Sequence, residues 1–516
     1  MNTKLVPLIG DPIENLYQLG LKEREAFLRI EKRVTHLISI NPLLRLGQDL
    51  YSRAKFILKK KKDPSYFEQC IASYSEGLGI DQSRYMSFLS LIEIAAHYGQ
   101  VYPELKALLP GCSSVFMKSG EDFTHTRLLD FPLIGIFEEQ SRIYYWQREG
   151  ALPVMTFSCE GLAPLFLQGI HGSGMSFALH HKPGNNYHHE GQSIFEIALE
   201  SIFETKSFTE LKKSLKKKVS ITKWCFLLLD ESGQVLATDI DGPAQNSESY
   251  NLNDTTPLIF TNIPLQQDAG GFEDYLHFSE NRQSWLKDKL KNIKSLHILD
   301  ALTDVEDQKI KKWTHPGATL STVGAYHINL SKGYVDLKDG KWALVHSDSV
   351  LRLSLDGKTD LEVLKAQGKG SLFEKAWKRA SLAQSAFDHG DYDLASHELQ
   401  MAIATMPHPV WKEILTFYLH LWDFKFVSNS KELSLVYKKV RALNLPELLQ
   451  GQKLLFLMRF EKKLDLSQTV NIKEVPSHLR ELFEQEQHAS KALFATWMKL
   501  LYPRLEILSV FSPHHK

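Results

Sequence analysis

The chain has 516 residues, 43% hydrophobic and 24% charged, and its 61 basic residues match its 61 acidic ones. That length implies more than one core, the composition is that of a soluble globular protein, and a zero formal charge removes the electrostatic reason to expect a nucleic-acid partner. Four cysteines without a Cys-x-x-Cys pair do not form a disulfide framework.

No window reaches the roughly 18 apolar residues of a spanning helix, and the opening MNTKLVPLIGDPIENLYQ has no uninterrupted apolar core. The expectation is a cytoplasmic protein without a transmembrane segment. The lysine runs at 59–62 and 212–218 carry no interleaved aromatics, so they read as solvated helix ends. Helical spacing covers 21–40, with Phe27, Ile30, Val34, Leu37 and Ile38 on one stripe, then 43–61, 66–74 and 84–97. The first 110 residues therefore read as a helical module with almost no strand signal.

At Cys112 the period changes from about 3.6 to 2. Residues 112–118 and 123–129 read as two strands joined by Ser119-Gly120-Glu121-Asp122. Further strands are expected at 142–148, 154–160, 174–182, 224–230, 234–240, 258–262, 319–330 and 333–337. Helices are expected at 194–205, 208–217, 282–291 and 296–301. Past residue 356 the chain turns helical. There Ala386 to Pro407, with Gly390-Asp391-Tyr392 at its turn, resembles one tetratricopeptide-type hairpin. Segments 411–422, 431–442 and 447–463 read as further helices, and 477–500 as one long helix capped by Ser477.

The chemistry concentrates in Gly111 to Asp130, GCSSVFMKSGEDFTHTRLLD. A thiol reacts as thiolate, and an ordinary cysteine near pKa 8.5 is mostly protonated at neutral pH. Were the Gly111-Cys112 bond cut, Cys112 would carry an α-amine with a pKa of about 7.7 to 8, a base on the nucleophile's own residue. Glycine at 111 eases a strained approach of the thiol to its own preceding carbonyl. A hairpin of two seven-residue strands brings Arg127 and Asp130 back near Cys112, where a guanidinium would stabilise a thiolate and a carboxylate would orient the amine. A surface Arg-Asp pair at a strand end is the alternative reading.

Cys112 with Arg127-Leu128-Leu129-Asp130 resembles the start of the mature chain in the acid ceramidase, choloylglycine hydrolase and isopenicillin N acyltransferase group of N-terminal-nucleophile hydrolases. GIHGSGMSFALHHK (169–182) resembles their segment with an oxyanion-binding asparagine, Thr261-Asn262 the site of a second functional asparagine, and Ser279-x-x-Arg282, at the head of a helix, an arginine motif that follows. The resemblance covers about residues 10–340. It departs where His181, with His180 beside it, stands in place of the expected asparagine, which leaves Asn262 as the main oxyanion donor.

The resemblance implies an α+β fold with a four-layer αββα core. Residues 1–111 would be a helical pro-segment that becomes the small subunit, 112–355 the catalytic domain and 356–516 a helical, tetratricopeptide-like domain. It implies an autoprocessed cysteine amidohydrolase that cleaves a linear carbon-nitrogen amide of an N-acylated small molecule. Cys112 would be the nucleophile, Gly111-Cys112 the processing site, and Arg127, Asp130, Asn262, His181 and Arg282 its helpers, with no cofactor and no metal. Two alternatives stand beside it: an acyltransferase that passes the acyl group to an amine, and an inactive protein that binds a peptide or protein partner through its C-terminal helices.

Other motifs are weaker. His180, His181, His188, His189 and Glu190 lack the His-Glu-x-x-His spacing of a helical metal site. Cys70, Cys159 and Cys225 fall on apolar faces, and Ser173 lies between glycines without completing a Gly-x-Ser-x-Gly elbow.

Overall fold

The computed structural model describes residues 3–38, 64–98, 109, 111–131, 137, 140–184, 186–266, 272–291, 298–303, 319, 321–340, 349–356, 361–365, 371–505 and 508–511. The helix expected at 43–61 lies outside them. Two large sheets carry the first two-thirds of the chain. One has eight strands in the order β1 (Lys4–Ile9), β4 (Ser141–Gln147), β5 (Val154–Cys159), β6 (Gln168–His171), β7 (Met175–His181), β8 (Trp224–Asp230), β9 (Gln234–Asp241) and β10 (Ala244–Asn251). The other has seven, in the order β11 (Leu258–Phe260), β2 (Gly111–Ser119), β3 (Asp122–Asp130), β12 (Thr322–Asn329), β13 (Tyr334–Lys338), β14 (Val350–Ser354) and β15 (Glu362–Lys365).

The sheets stack face to face. Phe116 and Phe260 of one meet Ala178, Cys225 and Leu227 of the other, and Tyr326, Ile328 and Leu337 meet Ile143, Met155 and Phe157. Helices α4 (Ile194–Glu204) and α5 (Phe208–Leu215) cover the back of the first sheet, whose outward Trp224, Phe226 and Leu228 share a core with Ile194 and Ile197. Helices α6 (Glu273–Leu290) and α7 (Ile298–Thr303) lie against β11 and β12 of the second. With both faces covered, β8 is apolar along nearly its whole length instead of alternating. The fold is α+β, an αββα sandwich followed by a helical region, α8 (Leu372–Asp388), α9 (Tyr392–Thr405), α10 (Pro409–Phe426), α11 (Ser430–Ala442), α12 (Glu447–Lys463), α13 (Ser477–His488) and α14 (Lys491–Leu500), with a small β16–β17 hairpin at Tyr502–Arg504 and Ser509–Phe511.

Four expectations need correction. The helical region does not begin at 356, because β15 pairs with β14 and still belongs to the seven-stranded sheet. The first 110 residues are not purely helical, because β1 pairs parallel with β4 and so inserts the chain start into the eight-stranded sheet. The run 477–500 is two helices. Ser477 is a first helical residue and not a cap, while Ser490 starts the second helix by accepting from the Leu493 amide. Ser279 and Arg282 sit well inside α6, not at its head.

The N-terminal helices α1 (Pro12–Ile38), α2 (Tyr66–Leu78) and α3 (Gln82–Tyr98) are built into the sandwich. On α1, Glu23 accepts from Tyr74 of α2 at 2.5 Å, from Tyr144 of β4 at 2.7 Å and from the Gly161 amide at 2.9 Å. On α3, Glu93 accepts from the Ile194 amide and the Thr222 hydroxyl. Two buried carboxylates thus tie residues before Cys112 to residues after it. Among the described residues no helix is long and apolar enough to cross a membrane.

Candidate active site

The β2–β3 hairpin closes through Gly120, whose φ of +63° suits glycine, in a loop bounded by the Ser119–Asp122 pair. The register sets Gly111 opposite Asp130, Cys112 opposite Leu129 and Ser114 opposite Arg127. Cys112 is fully buried. Arg127 Nη2 donates to its Sγ at 3.0 Å and to the Leu179 carbonyl of β7 at 2.7 Å, while Nη1 donates to the Leu167 carbonyl. The Cys112 amide donates to Asn262 Oδ1 at 2.9 Å. Burial pushes the Cys112 thiol up, and the charge of Arg127 and its hydrogen bond pull against that.

Behind Cys112 lies a locked polar cluster. Arg282 of α6 donates to Asp130 Oδ2 at 2.8 Å and to Asn262 Oδ1 at 2.5 Å, and Thr322 donates to Asp130 Oδ1 at 2.5 Å. Thr322 reaches that position because the β12–β3 register shifts between Thr322 and Gly324, a bulge that re-aims the strand end. Since Asn262 Oδ1 takes two donors while Nδ2 donates to the His181 carbonyl at 2.8 Å, the orientation of its amide is fixed by its partners, and it presents an acceptor to the Cys112 nitrogen where an oxyanion donor was expected. Burial raises Asp130, opposed chiefly by Arg282.

Gly111 has a second reason to be glycine beside the expected ease of approach to its carbonyl. A Cβ there would stand 3.0 Å from Arg282 Nη1 and 3.0 Å from Asp130 Oδ2, tighter than side chains normally pack. The residue lets the chain pass against the ion pair.

Six expected residues, Gly111, Cys112, Arg127, Asp130, Asn262 and Arg282, therefore meet at one end of the sandwich. His181 joins only through its backbone carbonyl. Its ring packs edge-on against Trp224 and Tyr275, at 5.2 and 6.3 Å between centroids, and neither ring nitrogen has a hydrogen-bond partner among the described residues. Burial and Lys182 lower its pKa to about 3, so the imidazole is neutral.

Spacing arguments missed a second polar layer between the sheets. His180 Nδ1 meets the Thr261 carbonyl at 3.3 Å, His180 Nε2 meets Ser114 Oγ at 2.9 Å, Ser114 Oγ meets His125 Nε2 at 3.1 Å, and His125 Nδ1 meets Ser176 Oγ at 3.2 Å. A carbonyl only accepts, so His180 donates from Nδ1, Ser114 donates to His180, His125 donates to Ser114 and Ser176 donates to His125. Every ring in this chain is neutral, consistent with burial holding both histidines well below their usual pKa. The remaining histidines disperse: His188 lies near Asp241 at 3.6 Å, His189 packs edge-on against Tyr187, and among the described residues no group of three or more His, Cys, Asp or Glu could hold a metal ion. Cys70, Cys159 and Cys225 are buried thiols.

No family model matches the chain, and no curated protein matches it. Among solved structures it is similar to penicillin V acylase from Agrobacterium tumefaciens, with 12% identity over 48% of this chain and 86% of the other and a TM-score of 0.31. It is similar also to the N-acylethanolamine-hydrolyzing acid amidase ortholog of Caenorhabditis elegans, with 13% identity over 43% and 93% and a TM-score of 0.30. A mutant of the conjugated bile acid hydrolase from Clostridium perfringens matches with 12% identity over 50% and 99% and a TM-score of 0.31. Likeness this slight carries neither fold nor activity across.

Proposed function

We propose that this chain is an autoprocessed cysteine amidohydrolase with Cys112 as nucleophile. The observation that carries the reading is the surroundings of Cys112 at the start of β2: a guanidinium on its sulfur, an asparagine oxygen on its nitrogen, and Gly111 just before it. In processing, Sγ attacks the Gly111 carbonyl, the peptide bond gives way to a thioester, and water hydrolyses that thioester. The products are a carboxylate on Gly111 and a free α-amine on Cys112.

The amine then takes the thiol proton, Sγ attacks the substrate carbonyl, and the ammonium returns the proton to the departing amine. Water resolves the acyl-enzyme. Arg127 stabilises the thiolate, and Asn262, held by Arg282, positions the α-nitrogen.

The acyl side of the substrate is apolar in this reading. A cavity of about 60 Å³ lies beside Leu129, the cross-strand partner of Cys112, and Leu167, whose carbonyl holds Arg127. Phe88, Leu89 and Ile92 of α3 form another wall, so residues 1–111 would stay bound after cleavage, consistent with the Glu23 and Glu93 ties. Intact-mass analysis of purified protein tests the proposal. The expected result is two fragments, one beginning at Cys112, with Cys112→Ala remaining a single chain. An uncut parent that hydrolyses amides would overturn the α-amine mechanism.

A further inference from the structure

Lys182 follows His181 at the end of β7 and is 1% exposed. Its ammonium donates to the Thr261 carbonyl at 2.7 Å and to the Ile263 carbonyl at 2.6 Å, the two carbonyls that flank Asn262. Among the described residues it makes no ion pair. Asp239, buried on the same inter-sheet side of β9, gives one oxygen to the Leu265 amide. Removing an ammonium from water costs several kcal/mol unless its new partners replace that hydration. Here the partners are backbone oxygens of one short segment, and that segment carries the amide that receives the Cys112 nitrogen.

Three consecutive residues of β7 and its end grip the same segment in different ways. The His180 ring takes the Thr261 carbonyl, the His181 carbonyl takes Asn262 Nδ2, and Lys182 brackets Asn262 on both sides. The Asn262 side chain is thus fixed by Arg282 and His181, whereas its backbone is fixed chiefly by Lys182. The charges point the same way. Arg127, Lys182 and Arg282 are all buried at this end of the sandwich, and among the described residues only Arg282 of the three has a carboxylate ion pair, with Asp130. Such an excess of buried cations favours a state in which a thiolate or oxyanion forms among them.

We infer that Lys182 is a positioning residue of the site: it holds the Thr261–Ile263 backbone so that the Asn262 amide receives the Cys112 nitrogen while Sγ attacks, a role that the ring of His181 does not fill. The inference rests on Cys112 being the nucleophile. It does not require Lys182 to touch substrate.

The test compares the parent, Lys182→Met, Lys182→Gln and Lys182→Arg. Self-cleavage is followed by intact mass, turnover with the p-nitroanilide of decanoic acid, and folding by thermal melting. The expected result for Lys182→Met is a fall in kcat of about tenfold to a hundredfold, with KM changed less than about threefold and self-cleavage slowed in parallel. Lys182→Arg should recover most of the rate, because a guanidinium spans two carbonyls. Should Lys182→Met fail to fold, Lys182→Gln keeps the test open, since its single amide group is too short to bracket both carbonyls and should also lower kcat. A folded Met or Gln variant with parental kcat, or a loss confined to KM, overturns the inference while leaving Cys112 in place. A parent that neither self-cleaves nor turns over, and whose Cys112 resists iodoacetamide, overturns the amidase reading and this inference with it.

Discussion

Arg127 beside Cys112 and the two buried arginines of the helical region, Arg459 and Arg504, are used in opposite ways. In the helical region each has its own carboxylate. Arg459 forms a two-pronged pair with Glu486, both side chains fully buried. Arg504 Nη1 reaches both oxygens of the buried Asp388, at 2.8 and 2.9 Å, and Asp388 also accepts from Tyr502. At the Cys112 end of the sandwich Arg127 makes no ion pair among the described residues. Its donors go to two backbone carbonyls and a thiol, and its Nε has no partner there. A paired buried charge is a structural cross-link, whereas an unpaired one beside an ionisable thiol is poised for an anion that the resting chain has not yet made.

The largest effects should separate those two uses. Arg127→Met removes the guanidinium from Sγ, and kcat and self-cleavage should fall by about 10² to 10³, the range for losing a charge-stabilising donor. The melting temperature should move little, because a buried cation that lacked a counter-charge leaves with the side chain. Asp388→Ala should do the reverse. It strands Arg504 and is expected to cost about 3 to 5 kcal/mol of stability in urea unfolding, with the rate of Cys112 alkylation by iodoacetamide unchanged. If Arg127→Met destabilises as much as Asp388→Ala and leaves self-cleavage intact, Arg127 is another cross-link and the contrast is gone.

Acid sharpens the same contrast at a smaller scale. Among the described residues the two sheets hold five histidines whose pKa burial lowers: His181 to about 3, the partly buried His327 to about 4, His125 and His180 well below the usual value, and His171 below it. Their folded pKa values lie below the unfolded value near 6.5, so between the two the unfolded chain binds protons that the native chain does not. Stability is complete above about pH 6.5 and falls as pH drops, by about 2 kcal/mol at pH 5 for each of His181 and His327. Hydrogen exchange read by mass spectrometry from pH 7.5 to 5 should therefore show β7 and β3 losing protection. His181→Asn should recover about 2 kcal/mol of the loss. Equal protection of β7 at both pH values would show that those rings are not held neutral by the fold.

The same contrast explains what the sequence made legible. Cys112, Arg127 and Asp130 lie on one hairpin, where alternation and turn length alone fix who faces whom, and their meeting was derivable without a structure. Asn262 and Arg282 needed a motif resemblance, because they arrive from β11's end and from α6, far along the chain. Lys182 and the His180–Ser114–His125–Ser176 chain were hidden, since a period-2 pattern marks inward positions as apolar and reads inward polar residues as noise. Strand β1 escaped because KLVPLI contains a proline, a residue that sheets accept at edges, and β1 is the edge of its sheet. To the local reading of Gly111 as easing a strained approach of the thiol is added one of space, which depends on two side chains more than a hundred residues apart.

Gly111 provides the smallest and most selective break. An added Cβ meets Arg282 Nη1 and Asp130 at about 3.0 Å, a contact that a shift of a few tenths of an ångström relieves. Gly111→Ala should therefore fold, with self-cleavage slowed only several-fold, because the displaced Arg282 also holds Asn262 Oδ1. After cleavage residue 111 is no longer joined to Cys112. The matured variant should then turn over the decanoyl anilide within about twofold of the parent, provided that the shifted ion pair relaxes once residue 111 is free. A Gly111→Ala protein that cleaves at the parental rate would show that the Arg282–Asp130 pair tolerates the intrusion. One that matures normally yet turns over slowly would place the effect of residue 111 on the finished site and not on its making.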